Sequence, residues 1–223
     1  MFPARLRSAA LALLVGALSL PATAGEPPVE PEIRLVPKDY PTIQAAVNAA
    51  LPGDEIRIAK GVYAESVTLT GKSGLLIRGK GAIVNPGGGA LAFTLTGCSD
   101  IVIEGLHFRN TWDWPLIDCI GGSNLVFRRL RFSQGNYAIY TGNVDGVVIE
   151  RIVAQDLSGG LLFFENTSDV LVSRVRMLRC YQVLNGSTGS DLRVERLTAS
   201  KVADRGIDLG WSGPVHDVTL ERV

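Results

Sequence analysis

The sequence predicts an all-β chain wound as a right-handed parallel β-helix, a solenoid of about seven coils of 22 to 26 residues with an N-terminal capping α-helix. Three observations predict it: a repeated turn-plus-tripeptide, apolar columns that keep register behind it, and one short amphipathic segment ahead of it. The turn residue and its alternating tripeptide occur as Asp100 before Ile101-Val102-Ile103, Asn124 before Leu125-Val126-Phe127 and Gly146 before Val147-Val148-Ile149. They recur as Asp169 before Val170-Leu171-Val172, Asp191 before Leu192-Arg193-Val194 and Asp217 before Val218-Thr219-Leu220, at spacings of 24, 22, 23, 22 and 26 residues. Three residues past each tripeptide stand Leu106, Leu130, Ile152, Val175, Leu197 and Val223, and two further on Phe108, Phe132, Ala154, Met177 and Ala199. Weaker copies, Gly74 before Leu75-Leu76-Ile77 and Glu55 before Ile56-Arg57-Ile58, set the start of the solenoid near residue 54.

Each coil reads as strand, sharp bend, strand, loop, third strand and turn. The third strands fall at 116–118, 138–140, 161–163, 183–185 and 206–208, and period-two alternation turns Ile117, Ile139, Leu162, Leu184 and Ile207 inward. Coils stacked about 4.8 Å apart pair every strand with its copies above and below. The inward columns then bury about five apolar side chains per coil, each contributing roughly 1.5–3 kcal/mol.

The ends need separate treatment. Arg5 and Arg7, an apolar run from Ala9 to Leu20, and Ala22-Thr23-Ala24 have the order of a signal peptide, residues 1–24, too short to span a bilayer. The expected location is secreted or periplasmic, with no membrane insertion after cleavage. Residues 25–37 are a Pro-rich leader, a linker or extended arm, and residues 38–223 form the β-helix domain. Within it Ile43, Ala46, Val47 and Ala50 share one face of a helix over about 42–50, stopped by Leu51-Pro52-Gly53 and placed to cover the open end of the solenoid. The chain stops at Val223 in mid-repeat, which suggests a truncated fragment; a monomer is expected unless that open C-terminal end pairs.

Charge and cysteine usage exclude several functions. Twenty-two basic and 22 acidic residues cancel, so no overall field recruits nucleic acid or an anionic membrane. Cys98, Cys119 and Cys180 are odd in number and share no coil position, which suits buried thiols better than a disulfide or metal site. His107 and His216, in different coils, make a His-based metal site or triad improbable.

The strings Tyr40-Pro41-Thr42-Ile43-Gln44-Ala45-Ala46-Val47, Pro52-Gly53-Asp54-Glu55-Ile56-Arg57-Ile58 and Gly61-Val62-Tyr63-Ala64-Glu65 resemble the N-terminal capping region of pectate-lyase-like (pectin lyase fold) β-helix proteins. The resemblance runs over about 38–223 and implies a right-handed coil, often with polysaccharide as partner. It leaves the activity open, because this superfamily holds lyases, hydrolases, esterases, epimerases and adhesins. The Asn-Thr-Asp, Asp-Asp and Gly-His-Gly strings of polygalacturonases do not occur here, and Gly206-Ile207-Asp208 only begins the pattern of alginate epimerases.

In that family the groove runs over the third strand and the loop before it. The outward row there is Asp118, Tyr140, Phe163, Asn185 and Asp208, aromatic faces alternating with polar groups as sugar rings require. The plainer alternative packs Tyr140 and Phe163 under loops. Asp118 and Asp208 lie four coils, roughly 19 Å, apart, too far for one acid/base pair. The candidate catalytic cluster is Lys201, Asp204, Arg205 and Asp208, with Arg179 and Tyr181 from the preceding coil added to the substrate-binding set of Asp118, Tyr140, Phe163 and Asn185. Those types suit β-elimination from a uronate, with Ca²⁺ as a possible cofactor if the chain is a lyase; a weaker cluster is Arg109, Asp113, Trp114 and Asp118. A non-catalytic glycan-binding or envelope scaffold is the alternative. At the first bend Arg129, Arg151, Arg174, Arg196 and Arg222 follow Arg128, Glu150, Ser173, Glu195 and Glu221, which reads either as a self-paired charge ladder or as a stripe for an acidic polymer.

Overall fold

In the computed structural model, which describes residues 30–111, 114–204, 206–210 and 213–223, the strands wind into a parallel β-solenoid of about eight turns. All 19 strands among the described residues belong to one hydrogen-bonded network, and every pairing in it is parallel. The register keeps the sequence columns together. Leu75, Ile101, Leu125, Val147, Val170 and Leu192 align down the first sheet. Phe93, Ile117, Ile139, Leu162, Leu184 and Ile207 align down the third. Almost all of these are fully buried; Phe93 meets Phe108 edge to face with ring centroids 5.1 Å apart, and Phe108 stacks on Phe132 at 5.6 Å. In the sixth copy the repeat residues Val218, Leu220 and Val223 are exposed.

The corners are made by left-handed residues. Asp100, Asn124, Asp169, Asp191 and Asp217 adopt φ of 50–55°, which short polar side chains tolerate. The bend residues Arg129, Arg151, Arg174, Arg196 and Arg222 do the same at φ of 52–57°, although arginine has no intrinsic liking for that region. Coil-to-coil bonds hold them there, as in Arg129 N–H to the Glu150 carbonyl (2.9 Å) and Arg151 N–H to that of Ser173 (3.1 Å). A glycine is obligatory where coils touch by backbone: a Cβ on Gly122, at φ +104°, would lie 1.9 Å from the Cys98 carbonyl oxygen.

The ladder begins earlier than the sequence suggests. Ile33–Val36, inside the expected leader, pairs residue for residue with Glu55–Ile58, so the first coil starts some twenty residues before position 54. Pro31 and Pro37 bracket that strand without entering it, so no ladder donor is lost. Buried Asp54 locks the coil by accepting from Arg34 Nε (2.7 Å) and from the backbone N–H groups of Glu32 and Leu51 (both 2.8 Å). The expected signal peptide lies outside the described residues.

The cap helix spans Ile43–Ala49 and buries Ile43, Ala46 and Val47 over the core. Thr42 caps it by accepting from Ala45 N–H, and the Glu65 carboxylate takes the N–H groups of Ile43 and Gln44 at 3.0 and 3.1 Å. Gln44 then imitates a missing strand, accepting from Thr68 N–H (2.7 Å) and donating to the Thr68 carbonyl (3.0 Å). The exposed edge of the third sheet is thereby closed. Cys98, Cys119 and Cys180 are free and buried, as their spacing implied.

Candidate functional site

Outward residues of the third sheet form one row along the solenoid: Thr68, Thr94, Asp118, Tyr140, Phe163, Asn185 and Asp208. The substrate-facing row read from the sequence is thus brought together in order. Its middle opens into a cleft of about 330 Å³ lined by Trp114, Asp118, Asn136, Tyr137, Tyr140 and Phe163, among others. Tyr140 stands edge-on to Phe163 with centroids 5.4 Å apart, and Tyr137 leans over the same ring at 5.4 Å and 32°. Trp114, 56% exposed, completes an aromatic wall that is open to solvent.

Backbone makes room for that wall. A Cβ on Gly159 would come within 2.4 Å of Asn136 Oδ1 and 2.9 Å of the Tyr137 ring, so only glycine lets the Tyr137 ring lie beside its neighbour coil. Gln182 Nε2 donates to the Tyr137 hydroxyl and fixes its far end, with Asn185 Nδ2 3.4 Å from the same oxygen. Asn185 Oδ1 is buried without a hydrogen-bond partner among the described residues, an acceptor left for a ligand or water.

The titratable groups of the cleft are coupled. Burial pushes the Asp118 carboxyl above the usual aspartate range. Tyr140 donates to Glu165 Oε2 at 2.7 Å; burial, that bond and the charges of Glu165 and Asp118 push its hydroxyl up to about 12. Tyr140 therefore stays protonated at neutral pH and stands between two carboxyl groups. Neither Tyr137 nor Glu165 belonged to the expected site, and Trp114 entered only through the weaker cluster.

The expected catalytic cluster is less assembled. Lys201 and Asp204 are exposed, Asp208 sits half-buried next in the row after Asn185, and Arg205 and Asp113 lie outside the described residues. Arg179 was expected to meet substrate, but its guanidinium grips Asp156 of the preceding coil with both ends, at 2.5 and 2.8 Å. That partner holds Arg179 as a coil-to-coil tie. Tyr181 is 48% exposed three residues before its strand, the coil position of Trp114, so it stands on the rim of the groove. Among the described residues no three His, Cys, Asp or Glu side chains gather closely enough to hold a metal ion.

At the bend the self-paired ladder is found in part: Arg151 and Arg174 pair with Glu150, whereas Arg129 comes only within 3.8 Å of Glu104. Buried Glu104 takes Arg78 and Arg128 at 2.6 Å each, Arg174 meets Glu150 at 2.8 Å, and Arg193 bridges Glu195 (2.5 Å) and Glu221 (3.2 Å). Glu150, Glu195 and Glu221 are the carboxylates expected and Glu104 is an addition; Arg78 and Arg193, from the strand rather than the bend, supply much of the pairing.

No family model matches the chain, and no curated protein does. Among solved structures, the catalytic domain of a GH87 α-1,3-glucanase in complex with tetrasaccharides aligns at TM-score 0.46 and 11% identity, over 74% of this chain and 41% of that one. An alginate lyase from Paenibacillus sp. str. FPU-7 aligns at 0.41 and 15% identity, over 84% and 99%. PfbA, a surface adhesin of Streptococcus pneumoniae, aligns at 0.20 and 5% identity, over 76% and 61%. This chain spans less than half the length of the glucanase domain.

Proposed function

We propose that the chain is a carbohydrate-active protein that holds a polysaccharide along the third-sheet groove and cleaves it by acid catalysis at Asp118. The observation that carries this reading is a carboxyl group whose burial favours its protonated form in a cleft walled by Trp114, Tyr137, Tyr140 and Phe163. Sugar rings lay their C–H faces on Trp114, Tyr137 and Phe163, and the unpaired Asn185 Oδ1 takes a hydroxyl. Asp118 gives its proton to the glycosidic oxygen as the C–O bond breaks. Water adds to the anomeric carbon and yields its proton to Glu165, which Tyr140 holds in place. Strand and coil spacing set the Asp118 and Glu165 Cα atoms about 12 Å apart, and both side chains act on the Tyr140 hydroxyl between them.

The residues favour hydrolysis over the β-elimination expected from the resemblance. Elimination needs a cation on the uronate carboxylate and a ready base, whereas the described lining of this cleft holds Asp118 and no cation, and Tyr140 keeps its proton. Affinity electrophoresis through xylan, galactomannan, α-glucan, alginate and polygalacturonate tests binding, with Trp114→Ala and Tyr137→Ala as controls. Reducing-end release that Asp118→Asn abolishes supports hydrolysis. An ultraviolet-absorbing unsaturated product supports a lyase, and retardation without turnover leaves a binding module. We further propose export, on the strength of residues 1–24; an N-terminus at Gly25 in the mature protein is the expected outcome.

A further inference from the structure

A gap in the bend arginines marks a second site, on the corner that faces away from the third sheet. Arg129, Arg151, Arg174, Arg196 and Arg222 occupy one position in successive coils. In the three coils before them, register assigns that position to Gly105, Gly79 and Ile58. Where arginine gives way to glycine the surface opens into a cleft of about 550 Å³. Its floor is Ile58 and the backbone of Gly79 and Gly105, and its rim carries Arg57, Arg78, Lys80 and Arg129.

The notch is built into the coil stacking. A Cβ on Gly105, at φ +73°, would lie 2.1 Å from the Gly79 carbonyl oxygen, and one on Gly79 would lie 2.5 Å from Leu106 Cδ2. A side chain at Gly105 would part the coils, and one at Gly79 would have to displace the Leu106 side chain. Charge then accumulates around a hollow with an apolar base. Glu104 is held by Arg78 and Arg128, and Glu55 by Arg57 (2.5 Å) and Arg78 (3.3 Å), so two carboxylates face five cations, Arg57, Arg78, Lys80, Arg128 and Arg129. Arg129 reaches Glu104 only at 3.8 Å, and Lys80 is exposed with no ion-pair partner among the described residues.

We propose that this cleft binds a sugar acid, one uronate unit of an acidic glycan, with the ring on the glycine floor and its carboxylate on Arg129 and Lys80. The volume lies within the roughly 300–1,000 Å³ of small-molecule sites, larger than a bare anion needs. The floor suits the C–H face of a pyranose, and a guanidinium fork matches a carboxylate. The site is independent of the groove, whose described lining carries the opposite charge.

Calorimetric titration of the full chain with trigalacturonate at low salt, beside the variant Lys80→Glu/Arg129→Glu, tests it. Affinity is expected to fall on the order of tenfold or more in the variant and to be absent for neutral galactotriose. Thermal unfolding of the variant checks its fold, and Lys80→Ala/Arg129→Ala replaces it should charge reversal unfold the chain. Equal affinity in the folded variant, equal affinity for galactotriose or inorganic phosphate, or no uronate binding at all would each overturn the proposal.

Discussion

Phe163 and Phe164 are neighbours on one strand of the third sheet, yet one lines an open cleft and the other fills the core. The same contrast divides the molecule. At the first bend, stacking sets Arg78, Glu104 and Arg128 in successive coils, so each charge finds its opposite directly above or below. On the third-sheet face stacking sets Asp118, Tyr140, Phe163 and Asn185 in the same way, and these satisfy one another only in part. A coil spacing of about 4.8 Å therefore turns complementary columns into structure and leaves mismatched ones as an open, partly satisfied face.

The largest effect should come from the strand itself. Phe164→Ala empties the core and should cost about 3–5 kcal/mol in denaturant unfolding. Phe163→Ala should leave the midpoint nearly in place and weaken polysaccharide retardation instead. Equal destabilisation by the two would end the distinction between faces.

Next in size is the bend. Glu104→Gln removes the charge that two arginines share, and should cost about 1–2 kcal/mol, less than for a sealed ion pair because both arginines are partly exposed. Burial works to raise the Glu104 pKa, but hydrogen bonds from Arg78 and Arg128 outweigh it and hold the group below the usual glutamate range. A depressed folded pKa gives stability that is present above the unfolded value and lost as pH falls through the folded one. Acid unfolding of the wild type should therefore be steeper below about pH 4.5 than that of Glu104→Gln.

Asp118 should show the opposite sign. Burial raises its folded pKa, so ionisation costs stability as pH rises through the range from the unfolded to the folded value. Asp118→Asn should melt higher than wild type at neutral pH, and the gain should vanish in acid below the unfolded pKa. A variant that melts lower at neutral pH would mean that the carboxylate is stabilised in the fold. Smallest of all, Arg174→Ala, at an exposed rung of the ladder, should change stability by under about 1 kcal/mol, with the difference shrinking in salt.

These contrasts also explain what the sequence disclosed. The inward columns and the row from Asp118 to Asp208 were legible because period-two alternation and a near-constant coil length leave little freedom of register. Tyr137 was missed because it lies in the irregular loop before the strand, where no period applies. Its signal is Gly159-Gly160, one coil later, where lost side chains make space for a large ring. Glu165 was missed because the strand was ended at Phe163, whereas Leu162–Glu165 continues for one more outward residue. Arg179 was assigned to substrate although Asp156 lies 23 residues earlier, one coil length, and opposite charges at that spacing announce a tie. The first strand went unrecognised because Pro31 and Pro37 disguise the four residues between them that belong to the ladder.

Amide hydrogen exchange is the most direct measure of the groove, comparing the free chain with the chain saturated by a hexasaccharide of the neutral polysaccharide that retards it most. Added protection is predicted in residues 114–120, 136–142 and 159–165, with the bend residues 128–131 and 150–153 unchanged. Protection at the bend alone, protection spread evenly over all coils, or no protection with any polysaccharide in the panel would contradict the account.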